Sequence, residues 1–205
     1  MKIKKILIYG SSHLAQESCK LIKDYYDLVG YIPSINPVIG GKLDLPIVAD
    51  ENVEHDIKLS LQYNRKMQNI KNAYNVHTGL LPSWGGVDIL YHTVKNRNES
   101  YIFEQGITFH KMTEKLDYGP IISKLSYPII DNDTIITLYD RITQCFPSFV
   151  LSSLKLLETF GIKQVSECYK EKPRIFKRNN IDEGDTELYR NTLKILKDKY
   201  EYKKI

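Results

Sequence analysis

The opening thirty-two residues restrict the fold more than any other part of the chain. Ile3 to Tyr9 is an apolar run closed by Gly10-Ser11-Ser12, which reads as a buried strand and a turn. His13 to Tyr25 then repeats apolar residues at helical spacing (Leu14, Ser18 or Cys19, Leu21, Ile22), with Ser11 or Ser12 as the cap. Leu28 to Ile32 is a second strand. A strand, a helix and a strand in so short a compass return parallel, as a right-handed βαβ unit. The chain is thereby committed to the α/β class, with a doubly wound, mostly parallel, Rossmann-like sheet. The first loop sits at a helix N-terminus, where anions bind well. Ser11 and Ser12 are therefore candidates for substrate contact; a loop that merely turns the chain is the alternative. Gly10-Ser-Ser is not Gly-x-Gly-x-x-Gly, so no dinucleotide site is assigned.

The remaining elements follow in order. Pro33 to Pro46, rich in Pro, Gly and Asn, reads as a surface loop, and Ile47-Val48 as a short strand. Ile57 to Leu61 and Ala73 to His77 read as strands, Asp88 to Asn96 as a short helix with His92 on its surface. Tyr101 to Phe103, Ile107 to Phe109 and Ile121 to Ile130 are strand-like and extend the sheet. Asp133-Thr134 starts a long helix with an apolar stripe from Ile135 to Phe149, which Pro147 should kink or split and Gly161 should end. Residues 1–162 form one domain on this reading. Residues 163–205 form a C-terminal extension: a hairpin or extended arm over Cys168 to Arg178, then a helix from Asp185 to Lys199.

A chain of 205 residues can bury a proper core. Its formal charge of +4 helps attract an anionic ligand but is no nucleic-acid footprint without a clustered basic face. Cys19, Cys145 and Cys168 lie far apart, in neither a disulfide nor a zinc-ligand spacing. His13, His55 and His92 also lack ligand-like spacing, so no metal is expected. The apolar run at the N-terminus is too short for a signal peptide and no stretch approaches a membrane span, which points to the cytoplasm and to no membrane partner.

Asn75-Val-His77 is a polar pair inside an apolar sentence. Strand side chains alternate with period two, so the amide and the imidazole share a face, roughly 7 Å apart along the strand. The amide can hold a developing oxyanion and the imidazole can handle a proton, a pairing suited to acyl-type chemistry. Two polar residues capping a strand end are the plainer alternative.

Further on come Leu80-Leu81-Pro82, then Gly106-Ile-Thr108-Phe-His110, then Asp117-Tyr-Gly119-Pro-Ile121-Ile122. Asn-x-His with Leu-Leu-Pro, Gly-Ile-Thr-x-His and Asp-x-Gly-x-Ile-Ile, in this order and spacing, resemble the 10-formyltetrahydrofolate-dependent formyltransferases over roughly residues 56 to 160. The resemblance implies transfer of a formyl group from N10-formyltetrahydrofolate, as co-substrate, to a primary amine. Asn75 would hold the oxyanion, His77 would handle the proton and Asp117 would orient His77. Leu61, Gln62 and Tyr63 would lie along the pterin, largely through backbone, with Asp117 and Gly119 also on the folate side. His110 would support the site. The Leu81-Pro82 bond is a candidate cis peptide. Trp84 and Gly86 are candidate substrate contacts, Trp84 either stacking on a base or sugar or plugging the core. Gly85 departs from the polar residue usual in the family. The span between Ile32 and Asn75 is also shorter than usual, which makes this a trimmed version of the fold.

Length separates the branches of that family. Methionyl-tRNA formyltransferases carry a C-terminal β-rich domain that 205 residues do not accommodate, and the deformylase branch has an extra N-terminal domain. The sequence looks most like the branch that formylates nucleotide-linked amino sugars, with dTDP-4-amino-4,6-dideoxyglucose for O-antigen or lipopolysaccharide synthesis as the favoured acceptor. Purine-pathway formylation of glycinamide ribonucleotide, or a non-catalytic folate or sugar-nucleotide binder, are the alternatives. Homodimerisation through the C-terminal hairpin is implied by the same branch.

Overall fold

The computed structural model describes residues 2–37, 39–97, 103–162, 174–177 and 181–200. Its central sheet has six strands: β1 (Lys5–Tyr9), β2 (Asp27–Ile32), β3 (Ile57–Leu61), β4 (Ala73–His77), β6 (Glu104–Lys111) and β7 (Ile121–Pro128), in the order β2-β1-β3-β4-β6-β7. The pairs β1–β2, β1–β3 and β3–β4 are parallel, whereas β4–β6 and β6–β7 are antiparallel. The fold class read from the sequence is therefore the one observed. Strand β3 is buried along its whole length, as expected of a central strand covered on both faces. Helix α1 (His13–Ile22) starts at Ser12, whose Oγ accepts from Ala15 N at 3.2 Å.

Helix α2 (Ile89–Asn96) and the 26-residue α3 (Ile135–Phe160) cover the sheet with α1. Their main core joins Ile6, Ile8, Leu14, Leu59, Phe109, Phe146 and Leu154; a side chain of this size, fully buried, contributes about 1.5–3 kcal/mol. Thr134, rather than Asp133, caps α3 in a capping box with Thr137, while Asp133 accepts from Ile130 N and pairs with Arg141. Pro147 does not split α3. An interior Pro costs about 3 kcal/mol, but Phe146, Phe149 and Val150 beside it are buried in the core and hold the helix in one piece. Gly161 ends it, its N–H donating to Leu157 O at 2.9 Å.

Gly106 interrupts nothing: β6 runs through it, packed so closely on β7 that a Cβ there would meet Leu125 O at 2.0 Å. Residues 101 and 102 and most of the expected 168–178 hairpin lie outside the described residues. Ile175–Phe176 is described, as strand β8, paired in parallel with β5 (Gly85–Gly86). Helix α4 (Thr186–Tyr200) is the last described element and buries Leu196. No described helix is long and apolar enough to cross a membrane.

Candidate active site

The ladder between β4 and β6 sets the centre of the site. Asn75 stands opposite His110 and His77 opposite Thr108, so the side chains of two antiparallel strands are brought face to face by register alone. Asn75 Nδ2 donates to His110 Nε2 at 3.2 Å. Lys111 O, which can only accept, lies 3.1 Å from His110 Nδ1 and so takes its proton. His110, read from the sequence as nearby support, is thus a direct member of the cluster.

Asp117 completes it from the loop between β6 and β7. Its carboxylate lies 3.7 Å from His77 Nδ1 and 3.5 Å from His110 Nε2, and it accepts from Gly86 N at 2.7 Å. The residue is buried and holds φ at 52° in the left-handed region, a strained conformation that its three partners stabilise. Burial alone would raise the carboxyl. The positive charges that His77 and His110 carry when protonated, together with the Gly86 N–H, outweigh it and bring Asp117 down to about 2. It is ionised throughout the physiological range.

His77 has its other nitrogen committed. Nε2 lies 2.7 Å from Trp84 O, a pure acceptor, so Nε2 carries the proton and Nδ1 faces Asp117. The turn that brings Trp84 O into place is held from beneath. Thr108 Oγ1 donates to Gly79 O at 2.7 Å and accepts from Leu81 N at 3.0 Å, and Gln105 Oε1 accepts from Leu80 N at 3.1 Å. The Leu81-Pro82 bond in this turn is cis, as the sequence suggests.

Beside the cluster opens a cleft of about 680 Å³, within the usual range for small-molecule sites. Asn75, His110 and Asp117 stand at its head, Tyr63, Met67 and Met112 along its walls, and Arg65, Lys66 and Lys115 at its rim. A smaller cavity of about 210 Å³ lies against Ser12, Gln62, Thr78, Asp88 and, from α4, Tyr189. Asn64 lines both.

The sequence candidates separate accordingly. Asn75, His77 and Asp117 come together. Tyr63 lines the large cleft and Gln62 the small one, whereas the Leu61 side chain is wholly buried. Gly119 packs on the Lys111 carbonyl, where a Cβ would approach within 1.6 Å. Ser12 lines the small cavity; Ser11 is buried and accepts from Gly41 N. Gly86 touches the site through its N–H to Asp117. Trp84 is fully buried, its ring stacked on Phe176 and its Nε1 donating to Glu104 O at 2.8 Å. It plugs the core, and its indole has no face left for a base or sugar. His92 is not a surface residue either: it is buried and stacked on Phe176 at 4.4 Å. Its apolar neighbours are supplied by the C-terminal segment, which helix periodicity could not reveal. Among the described residues no cluster of His, Cys, Asp and Glu is arranged to hold a metal.

Comparison with known proteins matches this region to one family. A Formyl transferase domain model matches residues 66–153. A methionyl-tRNA formyltransferase of Wolbachia pipientis is 30% identical over 106 residues, which is 50% of this chain and 34% of that protein. The chain thus spans about a third of the length of that relative. Among solved structures, WlaRD, a sugar 3N-formyl transferase crystallised with dTDP and 5-N-formyl-THF, superposes with a TM-score of 0.71 at 24% identity, covering 89% of this chain and 72% of that one. The formyltransferase PseJ of Anoxybacillus kamchatkensis, in complex with UDP-4,6-dideoxy-4-formamido-L-AltNAc and tetrahydrofolate, superposes at 0.60 with 23% identity, covering 96% and 93%. At these identities the superpositions establish the fold. Residues 66–153, which hold Asn75, His77, His110 and Asp117, thus match the formyl transferase domain model.

Proposed function

We propose that this protein transfers a formyl group from N10-formyltetrahydrofolate to the amino group of an amino sugar carried on a nucleoside diphosphate. The observation that carries the reading is the Asn75–His77–His110–Asp117 cluster, of which Asn75, His110 and Asp117 line the head of a cleft large enough for the folate. The cleft walls are apolar and aromatic, as a pterin requires, and Arg65, Lys66 and Lys115 at the rim suit a glutamate tail.

The neutral amine attacks the formyl carbon; a C–N bond forms and the carbonyl oxygen becomes an oxyanion. One N–H of Asn75 is held by His110, leaving the other to donate to that oxyanion, a contribution of about 2.7–4 kcal/mol for a single donor. His77, with Nε2–H fixed on Trp84 O, exchanges protons at Nδ1. Asp117 stabilises the imidazolium while the amine proton is in transit. Collapse breaks the bond to N10, which receives the proton and leaves as tetrahydrofolate.

Within the class, dTDP-4-amino-4,6-dideoxyglucose is the acceptor to test first. The test is a mass-spectrometric transfer assay with 10-formyltetrahydrofolate, run in parallel on dTDP-linked 3-amino and 4-amino sugars, UDP-linked 4-amino sugars, glycinamide ribonucleotide and methionyl-tRNA. One formyl group gained by a nucleotide sugar supports the reading and names the sugar. Gain only on glycinamide ribonucleotide or on methionyl-tRNA overturns it. Tetrahydrofolate binding without transfer to any of them would mark a non-catalytic binder.

A further inference from the structure

We infer that the C-terminal segment Arg174–Lys177, which lies beyond the matched family region, belongs to the catalytic apparatus, with Phe176 as a positioning residue for His77 and Asp117. The inference deepens the formyltransferase reading and rests on it for its kinetic consequence.

Neither partner that orients these two side chains is on a strand of the main sheet. His77 donates to Trp84 O, and Asp117 accepts from Gly86 N. Trp84 and Gly86 lie in one short stretch, and among the described residues that stretch has a ladder with a single other segment. Arg174 N donates to Pro82 O at 3.0 Å, Gly85 N to Arg174 O at 3.0 Å, and Val87 N to Phe176 O at 3.1 Å. The Phe176 ring stacks with Trp84 at 5.7 Å and with His92 at 4.4 Å, both nearly parallel to it. The Arg174 guanidinium lies 4.7 Å from the Phe176 ring centroid, and His92 has a backbone hydrogen bond with Lys177. The segment is therefore gripped at both ends, although only two of its residues are in a strand.

The glycines record how close the approach is. Gly86 has φ of 99°, and a Cβ there would sit 2.0 Å from Phe176 O. A Cβ on Gly85 would meet the Ile175 side chain at 2.8 Å. This explains why the position carries no polar side chain here: the C-terminal segment occupies the space. Two hydrogen bonds on two different charged or titrating residues are thus referred, through one backbone ladder, to residues about ninety positions beyond Gly85 and Gly86. A displacement of the ladder by 1 Å would misplace both at once, the kind of error that costs on the order of 10²-fold in rate.

The experiment is Phe176→Ala, with Phe176→Leu as the variant that keeps apolar bulk and Phe176→Tyr as the conservative control. Two readouts are taken on the full chain: the split of kcat from the KM for 10-formyltetrahydrofolate, and the ¹⁵N shifts of the His77 ring, assigned by their loss in His77→Asn. The wild-type ring should show a protonated Nε2. Phe176→Ala should lower kcat by about 10–100-fold with KM for the formyl donor within about twofold, and should shift or broaden the His77 resonances; Phe176→Tyr should restore both. If Phe176→Ala does not fold, Phe176→Leu is judged on the same two readouts. A folded variant with wild-type kcat and unmoved His77 resonances overturns the inference and leaves Phe176 a packing residue. Should the wild type transfer no formyl group, the formyltransferase reading fails, and the His77 resonances still decide whether Phe176 positions the ring.

Discussion

The centre has two walls built on different physics. One is the β4–β6 ladder, which presents Asn75, His77 and His110 from adjacent strands at fixed register. The other is loop: the turn from Gly79 to Asp88, the Asp117 loop and strand β8. The ladder wall is secured by many backbone hydrogen bonds and by a core that includes Leu59, Val76 and Phe109, all essentially fully buried. The loop wall is secured by a few side chains in unusual conformations, Asp117 at φ 52° and Asp88 at φ 55° among them. A ladder fixes where an atom stands; the loop wall fixes which nitrogen carries a proton and where a carboxylate points. Chemistry needs both, and the second is easier to break without unfolding the protein.

The largest effects should come where the walls meet. His77→Asn or Asp117→Asn should reduce transfer by about 10²–10⁴-fold or more, with a circular-dichroism spectrum close to wild type. Near-wild-type turnover in either variant would remove that residue from the mechanism. Asp117 also links the loop wall to stability. Its folded pKa of about 2 lies below the unfolded value near 3.9. The stabilisation it provides is therefore complete above about pH 4 and disappears as pH falls through about 2. Urea unfolding between pH 5 and pH 2 should be correspondingly steeper in pH for wild type than for Asp117→Asn; parallel curves would refute the assignment.

Next in size is a residue of the ladder wall alone. Asn75→Ala should lower kcat by about 10²–10³-fold while the donor KM changes little, because the lost N–H acts on the oxyanion and not on the bound folate. If KM rises and kcat stays, Asn75 is a binding residue and the ladder wall serves recognition instead of chemistry.

The same division decides how much the sequence could reveal. β3 and β4 are legible to the residue, because an apolar run bounded by polar turns has one reading inside an α/β sheet. Asn75 and His77 follow from period two, and Asp117 from its motif. His110 is assigned a supporting role, since nothing local says that Asn75 stands opposite it; only the antiparallel register of β6 does. Phe176, and with it the burial of His92, is out of reach. Two residues of strand about ninety positions from their partner carry no periodic signal, and a helix face gains an apolar neighbour only once the chain returns. The continuity of α3 through Pro147 is similar: local propensity argues for a break, and tertiary packing overrides it.

Beneath the loop wall, Thr108 offers a milder test of how the walls are joined. Its hydroxyl bridges Gly79 O and Leu81 N, tying the turn to β6. Thr108→Val keeps the β-branched shape and strands a buried N–H, which costs about 1–3 kcal/mol in stability. A loss of kcat beyond that seen in an equally destabilised core variant such as Leu59→Val would show that the turn's position, and not overall stability, limits turnover.

The smallest effect should come from the far side of the cleft, where a relay reaches the cleft wall from the strand edge. Lys58 is buried on β3 and pairs with Glu51; Glu51 Oε1 accepts from Tyr9 OH at 2.6 Å; and the Tyr9 ring meets Tyr63 edge-on at 5.1 Å. Tyr63 is the last member and lines the cleft. Tyr9→Phe removes the hydroxyl and leaves the ring contact and the Lys58–Glu51 pair, so stability should fall by only about 1 kcal/mol. If Tyr63 is held by this relay, the donor KM should rise about two- to fivefold, a fraction of a kcal/mol up to about 1 kcal/mol, with kcat unchanged, the reverse of the pattern expected at Asn75. Equal loss in kcat would mean that this side of the cleft also orients the formyl group, and the contrast between a wall for chemistry and a wall for binding would not hold. Donor KM measured for Tyr9→Phe and Asn75→Ala in the same assay separates the two cases, because each variant acts from one side of the cleft while the His77–Asp117 pair stays intact.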